Sequence, residues 1–494
     1  MERCALLIAA LGACGCGPSS DLRFDASPEV DALLCGAQRT CDGVCVQADS
    51  CDFSVTSVEP PNGPMNGGNF VTLRGHGFAA GLRVDLGDGR CVVRVVDAAT
   101  VLIQPPPGPH QDVDVKVTLG GKTAVLPGGY RYASGVLGQT WEKKEMATPR
   151  GVYPGLALLQ DGRMLVAGGA EDSTQVSLAT ADIYDPGTGT ASPAANDMTV
   201  GRIEPAAVTL MNGKVLLVGD YSSATNQADL FDPKTSSFAP SASGTAVARK
   251  ATIGVLLVDG RVLLVSRETP SAELYDPDLD RFTALAGAPA VADQYDQPWP
   301  VRLRDGRVLI VKGKGRTCSF FDPGNDSFTD GPAGPQAVID PGSPREVGIT
   351  VAADGRVFVV GGIVDPIFTP TSAIAVFDPA SGAGFVPLPT PLAVPREAPG
   401  VTLLGNGQII AMGGNTDPSP TRRSCSDTFQ VSATVDVIDP AANSVTAFAP
   451  LPEANWTLSA ATLIDGSLIA AGGTTCGGAV SYPYLYFMQG TPIL

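Results

Sequence analysis

One short pattern recurs seven times between residues 158 and 473, and it restricts the possible folds more than any other feature. An apolar pair leads into a turn on Gly, then a polar residue, then an apolar run. The turns fall at Asp161–Gly162, Asn212–Gly213, Asp259–Gly260, Asp305–Gly306, Asp354–Gly355, Asn406–Gly407 and Asp465–Gly466. Asp-Gly or Asn-Gly between apolar runs is a strong local hairpin signal, because a type I′ turn needs positive φ at both central residues. The expectation is a type I′ hairpin in every copy. Hairpins repeating every ~50 residues indicate radial repetition, one sheet per repeat. Such a ring is a scaffold and says little about what it binds.

Each copy continues alike. The second strand often ends in Gly-Gly, at 168–169, 361–362, 413–414 and 472–473. A loop of variable length follows. A third strand then closes on Asp-Pro, at Asp185–Pro186, Asp232–Pro233, Asp276–Pro277, Asp322–Pro323, Asp378–Pro379 and Asp439–Pro440. Pro after Asp starts a tight turn into a fourth strand. That strand carries Phe238, Phe282, Phe328, Phe385 or Phe448. The joint pattern is similar to the kelch repeat of galactose-oxidase-like propellers. Seven turns on Gly meet only six Asp-Pro turns, and the last copy ends near Tyr484–Phe487 without a fourth strand. Residues 137–146 are the upstream candidate to complete it, which would close the ring and shield its edges. The fold class expected is all-β, with a seven-bladed kelch-type propeller over 137–494.

Residues 53–134 read as a separate β unit. Pro61–Asn62–Gly63–Pro64 precedes Gly67–Gly68 and the strand Val71–Thr72–Leu73–Arg74–Gly75–His76–Gly77–Phe78. Short strands over 82–86, 91–96, 100–104 and 112–119 follow, then Gly129–Tyr130–Arg131–Tyr132. Val71 and Leu73 alternate with polar neighbours, as a half-buried strand requires. Gly75 and Gly77 permit the turn before Phe78 enters the core. The unit resembles the IPT/TIG immunoglobulin-like domain. That resemblance implies a β-sandwich acting as spacer or docking module, without catalysis.

The N-terminus reads as an export segment. Arg3 precedes the apolar stretch 5–11 and Leu11–Gly12–Ala13–Cys14. The stretch is too short to span a bilayer as a helix. It resembles a bacterial lipoprotein signal, which implies a signal peptide over 1–13, cleavage before Cys14 and acylation of that cysteine. An ordinary secretory signal with a later cut is the alternative, and Cys16 is a second lipid candidate. Residues 14–34 then form a polar, lipid-anchored tether. Gly15 after the lipid cysteine, by resemblance to enterobacterial sorting, points to the outer membrane or cell surface of the bacterial envelope. Export makes cysteines disulfide candidates. Cys35, Cys41, Cys45 and Cys51 cluster in a linker over 35–52, too small for a core of its own. Two disulfides are the reading preferred to a zinc site, since no histidine lies nearby. Cys425 and Cys476 fall in equivalent loops of neighbouring repeats and form a third candidate pair.

A net charge of −17 argues against nucleic-acid partners, and no basic run offsets it. In an antiparallel meander the Asp-Gly and Asp-Pro turns share one end of the ring. The variable loops share the other, where binding groups usually ride. Arg150, Arg202, Arg249, Arg345 and Arg396 recur 9–11 residues before the Gly turns, at the loop end. They are binding-face candidates for an anionic or hydroxyl-rich ligand. Because they follow the repeat, hydrogen bonding to backbone carbonyls between sheets is the competing reading. Trp299 is the candidate stacking platform, while Trp141 suits core packing.

Catalysis finds little support. Galactose-oxidase-like rings hold copper with histidine and tyrosine, but the only histidines are His76 and His110, both before the ring. A sialidase-like site would have Arg345, Arg396 and Tyr295 to draw on, without that family's Ser-x-Asp box. Asp276, Asp278 and Asp280 group three carboxylates but lack a calcium loop's Gly and closing Glu. The expectation is no catalytic residue, no metal and no cofactor. The chain reads as an exported binding or scaffold lipoprotein for a protein or polysaccharide. A carbohydrate-active hydrolase or lyase working without histidine is the alternative.

Overall fold

The computed structural model describes residues 38–41, 44–47, 53–171, 176–267, 271–287, 298–312, 317–335, 347–364, 369–417, 430–474 and 482–491. These residues form strands and no helix, so none long and apolar enough to cross a membrane is present among them. Cys14, Cys35, Cys51, Cys425, Cys476 and Arg345 lie outside them. Cys41 and Cys45 contribute backbone to a small hairpin of Gln38–Cys41 and Val44–Gln47, and their thiols are outside the description.

From residue 137 onward the described strands assemble seven four-stranded antiparallel sheets. Six are meanders in chain order, beginning at Gly155–Leu158, Ala206–Thr209, Lys250–Leu256, Trp299–Arg302, Gly348–Val351 and Gly400–Leu403. The seventh begins at Trp456–Thr462 and takes its outer strand, Leu137–Arg150, from the start of the array. Each first strand adjoins the first strand of the next sheet, and Trp456–Thr462 adjoins Gly155–Leu158, so the array closes on itself. The join is hydrogen-bonded: Ser459 Oγ donates to Pro154 O (2.7 Å) and Gly473 N to Gly151 O (3.0 Å).

The apolar run after each Gly is the second strand, and its burial explains its composition. Met164–Ala167, Val215–Val218, Val308–Val311, Val357–Val360 and Ile409–Met412 are buried at every position. A strand packed on both faces by neighbouring sheets needs a continuous apolar run rather than alternation. The aromatics flanking the Asp-Pro turns meet across strands, as in Phe231–Phe238 at 5.0 Å and Tyr275–Phe282 at 4.7 Å between ring centroids.

The hairpin turns differ from the type I′ expectation. In the first sheet Gly162 N donates to Leu159 O (3.0 Å) and Leu159 N to Arg163 O (2.8 Å). Gly162 has φ 89°, but Asp161 is not left-handed. This is a three-residue loop, a tight turn followed by a left-handed bulge residue. Asp161 instead accepts the Arg163 N–H (3.1 Å), and the same side-chain bond recurs at all seven turns. Asp and Asn are selected here for a side-chain acceptor, and Gly for its φ. The arginine after Gly also tethers neighbouring sheets. Arg163 Nη2 reaches Pro233 O (3.0 Å), Arg261 reaches Pro323 O (3.1 Å) and Asp326 (2.7 Å), and Arg356 reaches Pro440 O.

Residues 54–133 form a sandwich of a four-stranded and a five-stranded sheet. Its core holds Val71, Leu73, Phe78, Val84, Val101, Ile103, Val115, Tyr130 and Tyr132. Gly77 has the left-handed φ (75°) expected of it, whereas Gly75 is needed because a Cβ there would collide with Ser54 O.

The sandwich sits on the Asp-Gly end of the ring. Val93 N donates to Val258 O (3.0 Å), Arg90 N to Arg304 O (2.7 Å) and Met65 N to Gly405 O (3.2 Å), reaching the turns of the third, fourth and sixth sheets. Arg304 adds a bond to Ala353 O (3.0 Å) and an ion pair with Asp88. Val92, fully buried, packs in one cluster with Leu210, Met211 and Leu256 of the ring. Val92→Asp would bury an unpaired carboxylate in that seam. It is expected to undock the sandwich and open the connection near Ser134–Val136 to protease. Unchanged resistance in limited proteolysis would show that Val92 does not hold the two together.

Candidate functional site

The loop end of the ring is the opposite pole, and the recurrent arginines lead into it. Arg150, Arg202, Arg249 and Arg396 are fully buried. Each pairs with a carboxylate on the third strand of the sheet that follows it in the chain: Asp182 (3.0 Å), Asp229 (2.7 Å), Glu273 (2.6 Å) and Asp436 (2.7 Å). Further donors go to backbone carbonyls and to hydroxyls, as Arg249 Nη1 does to Ser266 Oγ (2.9 Å). Arg150 Nη1 bonds Gly168 O (2.9 Å) and Thr180 O (2.8 Å), and Arg396 Nη1 bonds Gly413 O and Thr434 O (both 3.0 Å). Burial pushes the Arg150 and Arg396 guanidinium pKa values down, and the paired carboxylates oppose it.

As ligand-contacting groups these four arginines are corrected by their burial and pairing: no surface remains for a ligand. They serve the repeat. Their backbone completes the staple, because Gly169 N of the first sheet donates to Arg202 O (2.8 Å) and Gly362 N of the fifth to Arg396 O (2.9 Å). One residue thus holds the following sheet by its side chain and the preceding sheet by its carbonyl. The Gly-Gly pair follows from this contact, since a Cβ on Gly168 (φ 69°) would collide with Arg202 O.

The pairing partner was readable in the sequence. It stands three residues before the Asp of Asp-Pro, as in Ala181–Asp182–Ile183–Tyr184–Asp185–Pro186, and an acid inside an apolar strand is its signal. The register places Ser319 and Ala375 there in the fourth and fifth sheets, so the acid is absent from both. In the seventh sheet Asn455 and Tyr486 stand in for arginine and acid, and Tyr486 Oη bonds Glu453 (3.1 Å).

Just beyond the arginines the chain turns left-handed at non-glycine residues. Tyr153 (φ 42°), Glu204 (φ 52°), Ala251 (φ 40°), Ala398 (φ 49°) and Thr457 (φ 60°) occupy equivalent places around the mouth. Each such conformation costs about 1–3 kcal/mol and persists only where its surroundings enforce it. Here the enforcement links sheets: Glu204 N donates to Tyr153 O (2.9 Å) and Tyr153 N to Thr457 O (3.3 Å).

The rim above these residues is polar, and its exposed run in the second sheet carries no charge. Over 221–227 the second sheet presents Tyr221, Ser222, Ser223, Asn226 and Gln227 as exposed side chains. The run is anchored by buried Asp220, which accepts Ser177 Oγ (2.9 Å), Ser222 Oγ (2.6 Å) and Ile203 N (2.7 Å). Across the mouth, Asn415 Nδ2 bonds Glu397 (2.6 Å). With the arginines withdrawn, hydroxyl and amide groups dominate the exposed run 221–227, which suits a neutral polar surface better than a polyanion. The run 221–227 has no signal in the sequence, because it is short and carries no charge.

Trp299 opens the innermost strand of the fourth sheet and packs against a core cluster with Val301 and Ile349. Its indole N–H is buried and has no acceptor among the described residues. Trp141 Nε1 donates to Ala449 O (3.0 Å). Asp276 and Asp280 are engaged within their turn, by Asp278 N (2.9 Å) and Tyr275 Oη (2.8 Å). Among the described residues no group of three or more His, Cys, Asp and Glu side chains converges on a metal position. Cys91 and Cys318 are buried free thiols, and burial pushes the Cys318 pKa up to about 12.

Comparison with known proteins adds three findings. Residues 54–132 match the IPT/TIG domain family. No curated protein matches the chain. Among solved structures, a fungal alcohol oxidase of the AA5 family in complex with copper is similar at TM-score 0.55 and 19% identity, covering 73% of this chain and 77% of its own. A streptogramin B lyase follows at TM-score 0.49 and 11% identity, covering 71% of this chain and 98% of its own. At these identities the likeness to the oxidase concerns the fold alone: this is an all-β chain with an IPT/TIG domain before a propeller-like ring.

Proposed function

We propose that this chain is an exported, lipid-anchored envelope protein whose seven-bladed, kelch-type propeller binds a protein or polysaccharide at its loop end. One observation carries the reading. The IPT/TIG domain covers the Asp-Gly end of the ring, through Val258, Arg304 and Gly405, and leaves the loop end as the free face. The route of the chain fits this. It enters the sandwich at Ser54, opposite His76, at the strand ends away from Val92 and Gln104. It leaves at Ala133, beside Pro64, on the ring side. A tether at Ser54 sets the domain between anchor and ring and points the mouth outward. Acylation at Cys14 and sorting to the outer membrane complete the proposal.

The copper of the similar oxidase has no imidazole to meet here, since residues 137–494 contain no histidine. A hydrolase or lyase using carboxylates remains the competing reading, and it would act at the same mouth. A glycan array and an envelope-lysate pull-down with the acyl-free chain test the binding proposal. Retention of a glycan or protein unchanged is the expected result. Turnover of a retained glycan would replace binding by catalysis, and no retention would remove both. Cys14→Ser is expected to abolish incorporation of labelled palmitate, and undiminished labelling would refute the anchor.

A further inference from the structure

Arg302 departs from every other member of its layer. It ends the innermost strand of the fourth sheet, opposite Val308. The equivalent places in the other sheets hold Leu158, Thr209, Leu256, Val351, Leu403 and Thr462. Arg302 is the single charge in that layer. Thr209 and Thr462 use their hydroxyls to bond the preceding sheet, at Leu158 O (2.7 Å) and Leu403 O (2.8 Å). Arg302 Nη1 makes the same bond to Leu256 O (2.7 Å). One donor is thereby accounted for, and a guanidinium has five.

Among the described residues no carboxylate pairs with Arg302. Arg150, Arg202, Arg249 and Arg396 each have one, and neighbouring Arg304 has Asp88. The acids of the covering sandwich are engaged elsewhere, Asp85 with Arg83 (2.8 Å) and Asp88 with Arg304. The nearby Cys91 thiol is held protonated by burial, far above its ordinary pKa, and supplies no counter-charge at pH 7. Burial pushes the Arg302 pKa down to about 10. Yet Arg302 keeps part of its surface open. Arg302 ends an innermost strand two residues before Arg304, whose carbonyl accepts the Arg90 N–H of the sandwich (2.7 Å), so that open surface lies inside the ring beneath the domain. An enclosed arginine stays charged at pH 7 and needs a counter-ion.

We propose that the ring holds a small inorganic oxyanion, phosphate or sulfate, against the Arg302 guanidinium beneath the IPT/TIG domain. The planar fork of arginine suits two oxygens of one such ion. The ion would neutralise the layer and tie the domain to the ring.

The test is a thermal-shift titration of the full chain with sodium phosphate and sodium sulfate against sodium chloride at matched ionic strength. The melting temperature is expected to rise saturably with either oxyanion, and Arg302→Met is expected to abolish that specific rise. No oxyanion-specific rise in the wild type, or the same rise in Arg302→Met, would overturn the proposal. Calorimetric titration of phosphate into the chloride-dialysed wild type decides the matter if Arg302→Met fails to fold. A saturable heat of one ion per chain, weakened about 10-fold by Arg302→Lys, supports the site. Absence of a saturable heat overturns it.

Discussion

Deleting residues 137–146 is expected to lower the melting temperature of the full chain on the order of 10 °C and to promote self-association. The segment is most of the outer strand of the seventh sheet, pairing Trp141 with Met488, Glu142 with Phe487 and Glu145 with Tyr484. It also packs against the sixth sheet, where Leu137 and Trp141 join the cluster of Met412, Val435 and Val437. Lys143 reaches Glu453 of the link between those sheets (2.5 Å). Its loss would free the edge of Tyr482–Gly490, and an unpaired strand edge is a template for another chain. Trp141→Ala removes the packing and the bond to Ala449 O and is expected to give a smaller fall of the same sign. A melting curve unchanged by the deletion would mean that the ring is held closed by other contacts.

Arg202→Met is expected to cost about 3–5 kcal/mol, because it leaves Asp229 buried with its cation removed. Asp229 would keep Thr199 N and Thr199 Oγ1 as donors (both 3.0 Å), which cannot neutralise it. Asp229→Leu should cost a similar amount by stranding the arginine. The double variant Arg202→Met with Asp229→Leu is expected to recover at least half of the sum, since neither charge is then stranded. Urea unfolding of the four proteins gives the coupling directly. Additive losses would mean that the pair does not act as one unit. The four described pairs recur with the repeat, so the result bears on how the sheets of the whole ring are held.

These two experiments address features of different legibility. The hairpins were readable because their chemistry is local: Gly supplies φ and Asp an acceptor within five residues. The turn type was misread because Asp-Gly serves both a type I′ turn and a bulged three-residue loop, and only the backbone at Asp161 distinguishes them. The outer strand of the seventh sheet was readable by counting, one missing strand downstream against one spare upstream. The arginines were visible by period, but their burial depends on Asp182, Asp229, Glu273 and Asp436, which reach them only after the strands pair. The seating of the IPT/TIG domain left no local trace. Val92 and Arg90 read as ordinary strand residues until Val258 and Arg304 meet them.

The uncharged run over 221–227 follows from the same logic, because once the arginines are spent on the ring, hydroxyl and amide groups are what that run offers. The central claim is that ligand is received there and not on the covered end. Amide hydrogen exchange of the full chain, with and without the glycan or protein returned by the array or pull-down, tests it most directly. Protection is expected at 151–154, 203–204, 220–227 and 397–398, with the seven Asp-Gly and Asn-Gly turns unchanged. Protection confined to those turns or to the IPT/TIG domain would contradict the claim.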